Sequence, residues 1–426
     1  MKYRLSAILL FCCLMIVLSG CDITKDPRAL MSIPRLPDDK ENLHSLIMAD
    51  LPEGGSIIRP TNINDTSAIR ITDLNHDGIS EAVVFYRTPD QAVRIHGMIW
   101  ENNGDTWRKK LDFDGEGFEL DSFDLVDVTH DGSIEMIVGY SSGDTEVQKG
   151  LIVYSYKDNQ LIKMLEKPYS SYVINDLNGD GKFEISVLNF KQGQTAELTS
   201  IQYNEITGKF EPFSSLQLDP SVNVYYNVVT GKVSEDVQGI VLDASVGAHS
   251  AYTDVVIMKD NKLTKVLSSE QTYKPYATYS SDEDKDGILE IAMMETPYGW
   301  EDMSLASIPW FMTYHKWDGD HGLKFVLEQY RDLQDRFYFN FPPEWHHKVT
   351  ISRRSILEEY LNFINIDTGE TMAEIRFFSL SAWEKSHTGW KMLARTEEHI
   401  IGLRSSYDLS SGKGNIELTP IEITKR

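Results

Sequence analysis

Four segments of nine residues place oxygen-bearing side chains at fixed intervals around a glycine. Each follows the pattern Asp-x-(Asp/Asn/Thr)-x-Asp-Gly-x-x-Glu, and the copies begin at Asp73, Asp127, Asp176 and Asp282. Side-chain oxygens at positions 1, 3, 5 and 9, a main-chain carbonyl at position 7 and a glycine for the sharp turn are what a hard cation such as Ca²⁺ requires. The pattern therefore predicts up to four Ca²⁺ sites per chain.

Each residue's position in the pattern assigns its predicted role as a ligand, and position 7 acts through its main-chain carbonyl. The predicted ligands are Asp73, Asn75, Asp77, Ile79 and Glu81 in the first loop, Asp127, Thr129, Asp131, Ser133 and Glu135 in the second, Asp176, Asn178, Asp180, Lys182 and Glu184 in the third, and Asp282, Asp284, Asp286, Ile288 and Glu290 in the fourth. A solvated acidic turn without metal is the alternative for any one copy. Four copies of one pattern argue against it.

The flanking sequence indicates which kind of loop this is. A helix-flanked calcium loop would carry an acidic ligand at position 12, but the chain has Val84, Val138, Val187 and Met293 there. Short apolar runs at 82–86, 136–140, 185–189 and 291–294 follow the loops and are typical of buried strands. Each loop is therefore predicted to be a turn between two strands.

The loops recur at roughly fifty residues, and the last interval is about twice as long, so one repeat is expected to be hidden within it. Residues 223–244 fit that repeat, with Thr230, Lys232, Ser234 and Gln238 at the ligand positions. These residues lack the carboxylates, so no ion is expected there. Five units of about 52 residues, each with room for four strands, predict a mainly β fold, a β-propeller of about five four-stranded blades.

The loops resemble those of the VCBS and FG-GAP repeats, the calcium-bearing propeller blades also found in integrin α subunits. The resemblance covers about residues 55–325 and implies a Ca²⁺-binding role for the ligand sets given above. Thr129 departs from the usual Asp or Asn and weakens the expected affinity of the second site. Such repeats are specific for a fold and not for a function.

The N-terminus predicts a compartment. Lys2 and Arg4 precede an apolar run at 7–17 that is too short for a membrane span, which needs about 20 residues. Residues 1–20 are therefore predicted to be a signal peptide. The segment Leu-Ser-Gly-Cys ending at Cys21 resembles the lipobox of bacterial lipoproteins, which implies lipidation of Cys21 and an extracytoplasmic protein anchored to the cell membrane. An ordinary signal peptide with a chance cysteine is the alternative.

The remaining composition agrees with that setting. All three cysteines lie at or before Cys21, so the mature chain can form no internal disulfide and its stability must come from its core and from metal. The net charge of −24 disfavours binding to nucleic acid, which requires basic patches. Residues 21–54 are predicted to be a tether, broken by prolines, that ends in a short helix at 38–50.

The last hundred residues differ from the repeats. The predicted boundary separates a propeller at 55–330 from a module at 331–426. Strands are predicted at 337–341, 349–353, 360–366, 373–379, 392–396 and 399–404, with a short helix at 381–386. They indicate a small α+β domain with an antiparallel sheet. Their order resembles the Mog1/PsbP-like fold, which implies no catalytic residues for this chain.

Enzyme signatures are weak. A Gly-x-Ser-x-Gly segment surrounds Ser141, but strand-like sequence and not a helix follows it, against a nucleophile elbow. His346 and His347, beside Glu344, could suggest a transition-metal site, but adjacent residues of a strand point to opposite faces.

Aromatic residues crowd the fifth unit, and they either belong to the core or form a ligand surface. They are Tyr298, Trp300, Trp310 and Trp317.

The expected function is that of a binding or scaffold protein of the cell envelope, without catalysis, whose partner is a protein or a cell-wall glycan. The alternative is an enzyme acting on cell-wall or extracellular glycans with its site in the propeller funnel. A structural part of a secretion or sporulation assembly is a third class. An enzyme would need converging titratable groups outside the calcium loops, whereas an assembly component would expose an apolar patch.

Overall fold

The computed structural model describes residues 38–62, 67–88, 93–104, 106–143 and 148–413. The predicted signal peptide, Cys21 and the tether up to residue 37 lie outside the described residues. The fold is mainly β, with several four-stranded antiparallel sheets. Two compact units are present: one comprises the described residues within Met1–Arg59, Asp65–Asp73 and Asp77–Gly115, and the other those within Pro60–Asn64, Leu74–His76 and Glu116–Arg426.

The first unit packs one helix against one sheet. Its elements are α1 (Asp38–Asp50), β1 (Ser56–Ile58), β2 (Ile69–Thr72), β3 (Glu81–Arg87), β4 (Ile95–Asn102) and β5 (Trp107–Asp114). The predicted helix is confirmed. Leu43 and Ile47, four residues apart and therefore on one helix face, are buried against Val84 and Trp100 of the sheet. Burial of this apolar face stabilises a helix that is short for an isolated one in water.

The second unit contains four further sheets, and each of them includes four consecutive antiparallel strands. They are β6 (Glu119–Val126), β7 (Glu135–Ser141), β8 (Lys149–Lys157) and β9 (Gln160–Tyr169); β10 (Ser171–Asn175), β11 (Glu184–Lys191), β12 (Thr195–Asn204) and β13 (Lys209–Gln217); β14 (Val224–Ser234), β15 (Val237–Gly247), β16 (Ser250–Lys259) and β17 (Lys262–Lys265); and β18 (Ile291–Glu295), β19 (Phe311–Trp317), β20 (Leu323–Arg331) and β21 (Phe337–Asn340). The apolar runs after the four loops are strands, as predicted.

The first three loops connect the strands that precede and follow them, as predicted. They join β2 to β3, β6 to β7 and β10 to β11. The fourth loop is closed by a single bridge between Ser281 and Glu290, directly before β18. The prediction of a turn between two strands is therefore wrong for the fourth loop, because within residues 148–413 only an isolated bridge and no strand directly precedes it.

The loop predicted at 230–238 is absent, and this prediction is wrong. Thr230 and Lys232 lie within β14, and Lys232 pairs with Gln238 of β15 across a tight hairpin. Position 6 of this repeat is Glu235, where the other loops have glycine. This repeat lacks the glycine and the carboxylates that shape the other loops. The two strands therefore continue their hydrogen-bonded pairing up to the turn.

The C-terminal residues form a sixth sheet with the order β22-β23-β24-β26-β25. Its elements are β22 (Val349–Ile351), β23 (Tyr360–Asn365), β24 (Thr371–Ser379), α2 (Leu380–Ser386), β25 (Lys391–Arg395) and β26 (His399–Ser405). The hydroxyl of Ser379 accepts a hydrogen bond from the N–H of Ala382 and caps α2. The predicted antiparallel sheet and short helix are confirmed.

One strand belongs to a different sheet from the one predicted. The strand expected at 337–341 to open the C-terminal module is β21, which pairs with β20 of the fifth sheet and with β27 (Ser411–Lys413). Phe337 and Phe339 are fully buried in a cluster that also contains Phe363 of β23. The fifth and sixth sheets therefore share one aromatic core, which continues across the predicted boundary at residue 330.

In the described part of the chain, no helix is both long and apolar enough to span a membrane.

Candidate cation-binding loops

The four loops fold in the same way around their first aspartate. In each, the Oδ2 atom of this aspartate accepts a hydrogen bond from the N–H of the glycine at position 6. The donor–acceptor distances are 2.8 Å for Gly78 to Asp73, 3.1 Å for Gly132 to Asp127, 2.9 Å for Gly181 to Asp176 and 2.9 Å for Gly287 to Asp282. These glycines have φ between 83° and 91°, in the left-handed region. The glycine of the pattern is thus required by the turn.

The aspartate at position 5 adds a second shared hydrogen bond. Its Oδ1 atom accepts the N–H of position 7, at 2.8 Å in Asp77, Asp131 and Asp180 and at 3.0 Å in Asp286. This bond fixes the N–H of position 7 within the turn. The repeated pattern therefore specifies one repeated backbone shape.

The glutamate at position 9 is fully buried in all four loops, in Glu81, Glu135, Glu184 and Glu290. A buried carboxylate is unfavourable unless it is paired. Burial raises the pKa of Glu135 and of Glu184 to about 7, and it also raises the pKa of Glu290. Bound cations favour the ionised form, so these carboxylates are suited to a positive partner.

The main chain orients these glutamates. The Oε2 atom accepts an N–H of position 2, at 3.1 Å from Val128 to Glu135, at 2.8 Å from Leu177 to Glu184 and at 2.7 Å from Glu283 to Glu290. One carboxylate oxygen of each of these three glutamates is fixed in this way.

Carboxylate oxygens converge to within 4.8 Å of one another in three of the loops. The groups are Asp77, Glu81 and Glu101; Asp176, Asp180 and Glu184; and Asp282, Asp284, Asp286 and Glu290. All these donors are carboxylate oxygens, which are the ligands that hard divalent cations prefer. The donor chemistry therefore fits Ca²⁺.

The second loop is not among the groups that converge within the described residues. Thr129 is buried, and its hydroxyl donates to Oε1 of Glu135 at 3.1 Å, so this glutamate already has a partner on both oxygens.

In the first loop, the predicted ligands are divided between the two compact units. Asn75 lies in the second compact unit, and Asp73 and Asp77 lie in the first.

Three residues near the loops were missed by the sequence analysis because they lie on the second strand after each loop. Glu101 belongs to the first carboxylate group, Gln202 donates to the third loop and Lys316 reaches the fourth. Nothing in the linear pattern marks them. Only a prediction of strand register could have found them.

The aromatic residues of the fifth unit do not form a surface, and the prediction of a ligand surface there is wrong for the tryptophans. Trp300 is 6% exposed and donates from Nε1 to the carbonyl of Ile351, and Trp310 is 7% exposed. Trp317 is also buried. Tyr298 alone is exposed, at 66%. The apolar area of the indoles stabilises the core, because their N–H groups find carbonyl partners.

His346 and His347 follow a 3₁₀ turn at Pro343–Trp345 and not a strand, so the expectation that they point to opposite faces is wrong. Their rings are 3.8 Å apart. His346 Nδ1 lies 3.3 Å from Glu328, and His347 Nε2 lies 3.6 Å from Glu295, so Glu344 is not the neighbouring acid. Burial and the charge of Glu295 raise the pKa of Glu328 to about 8.

Ser141 ends β7, and its hydroxyl accepts the N–H of Gly143 at 3.1 Å. The next element described is the strand β8. A nucleophile elbow requires a helix at that point. The described residues around Ser141 therefore do not form a strand–turn–helix arrangement.

No protein-family model matches the chain, and no curated protein matches it. Among solved structures, the chain is similar to Sqt1 of Saccharomyces cerevisiae, with a TM-score of 0.34 and 8% sequence identity over 82% of this chain and 100% of that chain. A likeness at this level carries no inference about fold or function.

Proposed function

We propose that the chain is a lipid-anchored, extracytoplasmic Ca²⁺-binding protein that serves as a binding or scaffold component of the bacterial cell envelope. In this proposal the five sheets preceding the C-terminal sheet are the blades of a β-propeller. Support comes from their construction, since each sheet is antiparallel and three of the five consist of four consecutive strands. Propeller blades are sheets of this kind, and each buries its faces against its neighbours.

The observation that carries the proposal is the repeated hydrogen bond between the first aspartate and the glycine N–H in all four loops. Four unrelated acidic turns would not share one backbone shape and one buried glutamate. Without a cation, the repulsion between carboxylates that lie within 4.8 Å of one another opposes folding. Ca²⁺ bound only to the native state stabilises that state by mass action.

The acidic loops favour a binding role over catalysis. A Ca²⁺ ion held by three or four carboxylates and a main-chain carbonyl has few positions left to activate water or a substrate. The Ser141 segment lacks the geometry of a nucleophile elbow in the described structure. We therefore expect a protein or a cell-wall glycan as partner and no nucleic acid, because the net charge is −24.

Calcium removal tests the metal-binding role. The melting temperature of the purified chain should fall in EDTA and rise again with Ca²⁺. At a hundredfold excess over Kd, each bound ion should stabilise the folded state by about 2.7 kcal/mol. Asp180→Asn should bind one Ca²⁺ fewer in isothermal titration, whereas Glu398→Gln, an exposed acid outside the loops, should bind as many as the wild type. An unchanged melting temperature in EDTA would contradict the stabilising role.

The anchor and the partner need separate experiments. Cys21→Ala should abolish incorporation of a clickable fatty acid, and label that persists on the variant would exclude Cys21 as the anchor. Binding to peptidoglycan, teichoic acids and neutral polysaccharides should be measured with and without Ca²⁺. Turnover of any of them that survives purification, and that is lost on substitution of an acid outside the loops, would favour the glycan-active enzyme instead.

A further inference from the structure

The residue that faces position 9 of each loop across the strand ladder differs in charge from sheet to sheet. Glu81 pairs directly with Glu101 in the first sheet. In the others, the register of the next pair places Ser155 opposite Glu135, Gln202 opposite Glu184 and Lys316 opposite Glu290. Residues opposite one another on antiparallel strands have Cβ atoms only about 5 Å apart. Glu101, Gln202 and Lys316 contact the buried glutamate of their loop.

In the third loop this neighbour is a neutral amide. Gln202 donates from Nε2 to Asp180 Oδ2 and to Glu184 Oε1, at 3.1 Å in both cases. The amide carries no net charge and therefore does not compensate the negative charge of the loop.

In the fourth loop the same position carries a cation. The Nζ atom of Lys316 lies 3.2 Å from Asp284 Oδ2, 3.2 Å from Glu290 Oε1 and at hydrogen-bonding distance from Asp286. Its side chain is only 14% exposed. The ammonium donates hydrogen bonds to Asp284 and Asp286 and forms an ion pair with Glu290, so three carboxylates of one loop surround one positive charge.

A divalent ion and this ammonium require the same oxygens. Ca²⁺ binds carboxylate oxygens at about 2.3–2.6 Å, so an ion coordinated by Asp284, Asp286 and Glu290 would leave no room for Nζ between them. Displacing the ammonium would also expose Ca²⁺ to the repulsion of a nearby positive charge. The ammonium of Lys316 therefore compensates the negative charge of the fourth loop.

We propose that Lys316 is the internal cation of the fourth loop, which closes without metal, whereas the third loop, with Gln202 in the same place, takes a hard divalent cation. The proposal deepens the proposed Ca²⁺ binding and rests on it for the third loop. It lowers the expected number of ions, since the fourth loop matches the ligand pattern but already holds a charge partner.

Paired loop variants of the full-length chain test the proposal in the wild-type background. Bound Ca²⁺ is counted by isothermal titration and by equilibrium dialysis with metal analysis. Asp284→Asn should leave the number of bound ions unchanged, whereas Asp180→Asn should lower it by one. Loss of one ion in Asp284→Asn would overturn the proposal, because it would show that the fourth loop binds Ca²⁺ with Lys316 present.

Exchanging the two cross-strand residues gives the converse test. Lys316→Gln should bind one Ca²⁺ more than the wild type and should depend on Ca²⁺ for its melting temperature, and Gln202→Lys should bind one fewer. Lys324→Gln makes the same charge change at the residue that pairs with Lys316 on β20, and it should bind as many ions as the wild type. No additional ion in a folded Lys316→Gln variant would overturn the proposal.

The two proposals fail in different ways. If the wild type binds no Ca²⁺ and its melting temperature is the same in EDTA, the proposed function fails. If the wild type binds Ca²⁺ in the third loop and Asp284→Asn also loses an ion, only the role of Lys316 fails.

Discussion

The ammonium of Lys274 lies 2.8 Å from Oδ1 of Asp243, and both side chains are fully buried. Lys274 also donates to the carbonyls of Thr278 and Ala292, at 2.9 and 3.0 Å, and Ala292 belongs to β18. The pair therefore ties the fourth sheet to the fifth. Asp243 belongs to the fourth sheet, in which a tight hairpin replaces the acidic loop. In this repeat a buried ion pair links the sheet to the next one.

Breaking this pair should be costly. Lys274→Met leaves Asp243 buried without its cation, and removal of one partner of a buried pair typically costs about 3–5 kcal/mol. The free energy of unfolding from urea titration measures this. Lys163→Met is the matched control, since Lys163 pairs with Glu116 at an exposed position, where less than about 1 kcal/mol is expected. Equal losses in the two variants would contradict a special role for the buried pair.

Substitution of Gly181, the glycine of the third loop, should lower stability because of its backbone conformation alone. A Cβ atom at Gly181 would meet no atom within 4 Å, but φ is +83°. Gly181→Ala should therefore lower the free energy of unfolding by about 1 kcal/mol through strain. Gly150 in β8 offers the same open space without a positive φ, so Gly150→Ala should be close to neutral in the same urea titration. Similar losses in both would argue against the left-handed turn.

Glu328 should make stability fall with rising pH. Its pKa is about 8 in the folded chain and near the ordinary value of 4.5 in the unfolded chain, because burial and the charge of Glu295 disfavour ionisation. The folded state thus keeps a proton that the unfolded state releases, and the contribution is complete below pH ~4.5 and lost as the pH rises through about 8. His346 lies 3.3 Å from Glu328, His347 lies beside Glu295 and against the ring of His346, and the charge of His346 acts on His315.

Glu328→Gln should flatten this part of the pH profile, as measured by urea unfolding at several values between pH 5 and 9. Glu398→Gln, at an exposed position, should leave the slope as in the wild type. A slope that persists in Glu328→Gln would assign it to another group.

Replacement of Trp300 by alanine should lower the stability of the chain and not its partner binding. It lies in the aromatic core shared by the fifth and sixth sheets, and truncation of a buried tryptophan costs about 3–5 kcal/mol. Tyr298, two residues earlier and mostly exposed, should change stability by less than about 0.5 kcal/mol when replaced by alanine. Thermal melts of both variants compare the two. A stable Trp300→Ala variant with impaired partner binding would restore the ligand-surface interpretation.

Local patterns in the sequence predicted the local structures well. The helix Asp38–Asp50, the strands after the acidic loops and the small sheet with its short helix at the C-terminus are all present. These features follow from short-range rules: apolar periodicity, a glycine at a left-handed position and β-branched runs. The hairpin at 230–238 was missed because the spacing of the repeats suggested a loop there. Position 6 of this repeat is Glu235 and not glycine, which favours continuous pairing of the two strands.

The sequence by itself determined the positions of the acidic loops, their shared backbone shape and the strands that follow them, since each depends on residues within about nine positions. Only the tertiary structure decided that Lys316 and not solvent faces the fourth loop, that Gln202 takes this place in the third, and that Lys274 reaches Asp243. It also placed Trp300 inside the core. These outcomes depend on strand register and sheet packing, which bring together residues far apart in the chain, and no local spacing encodes them.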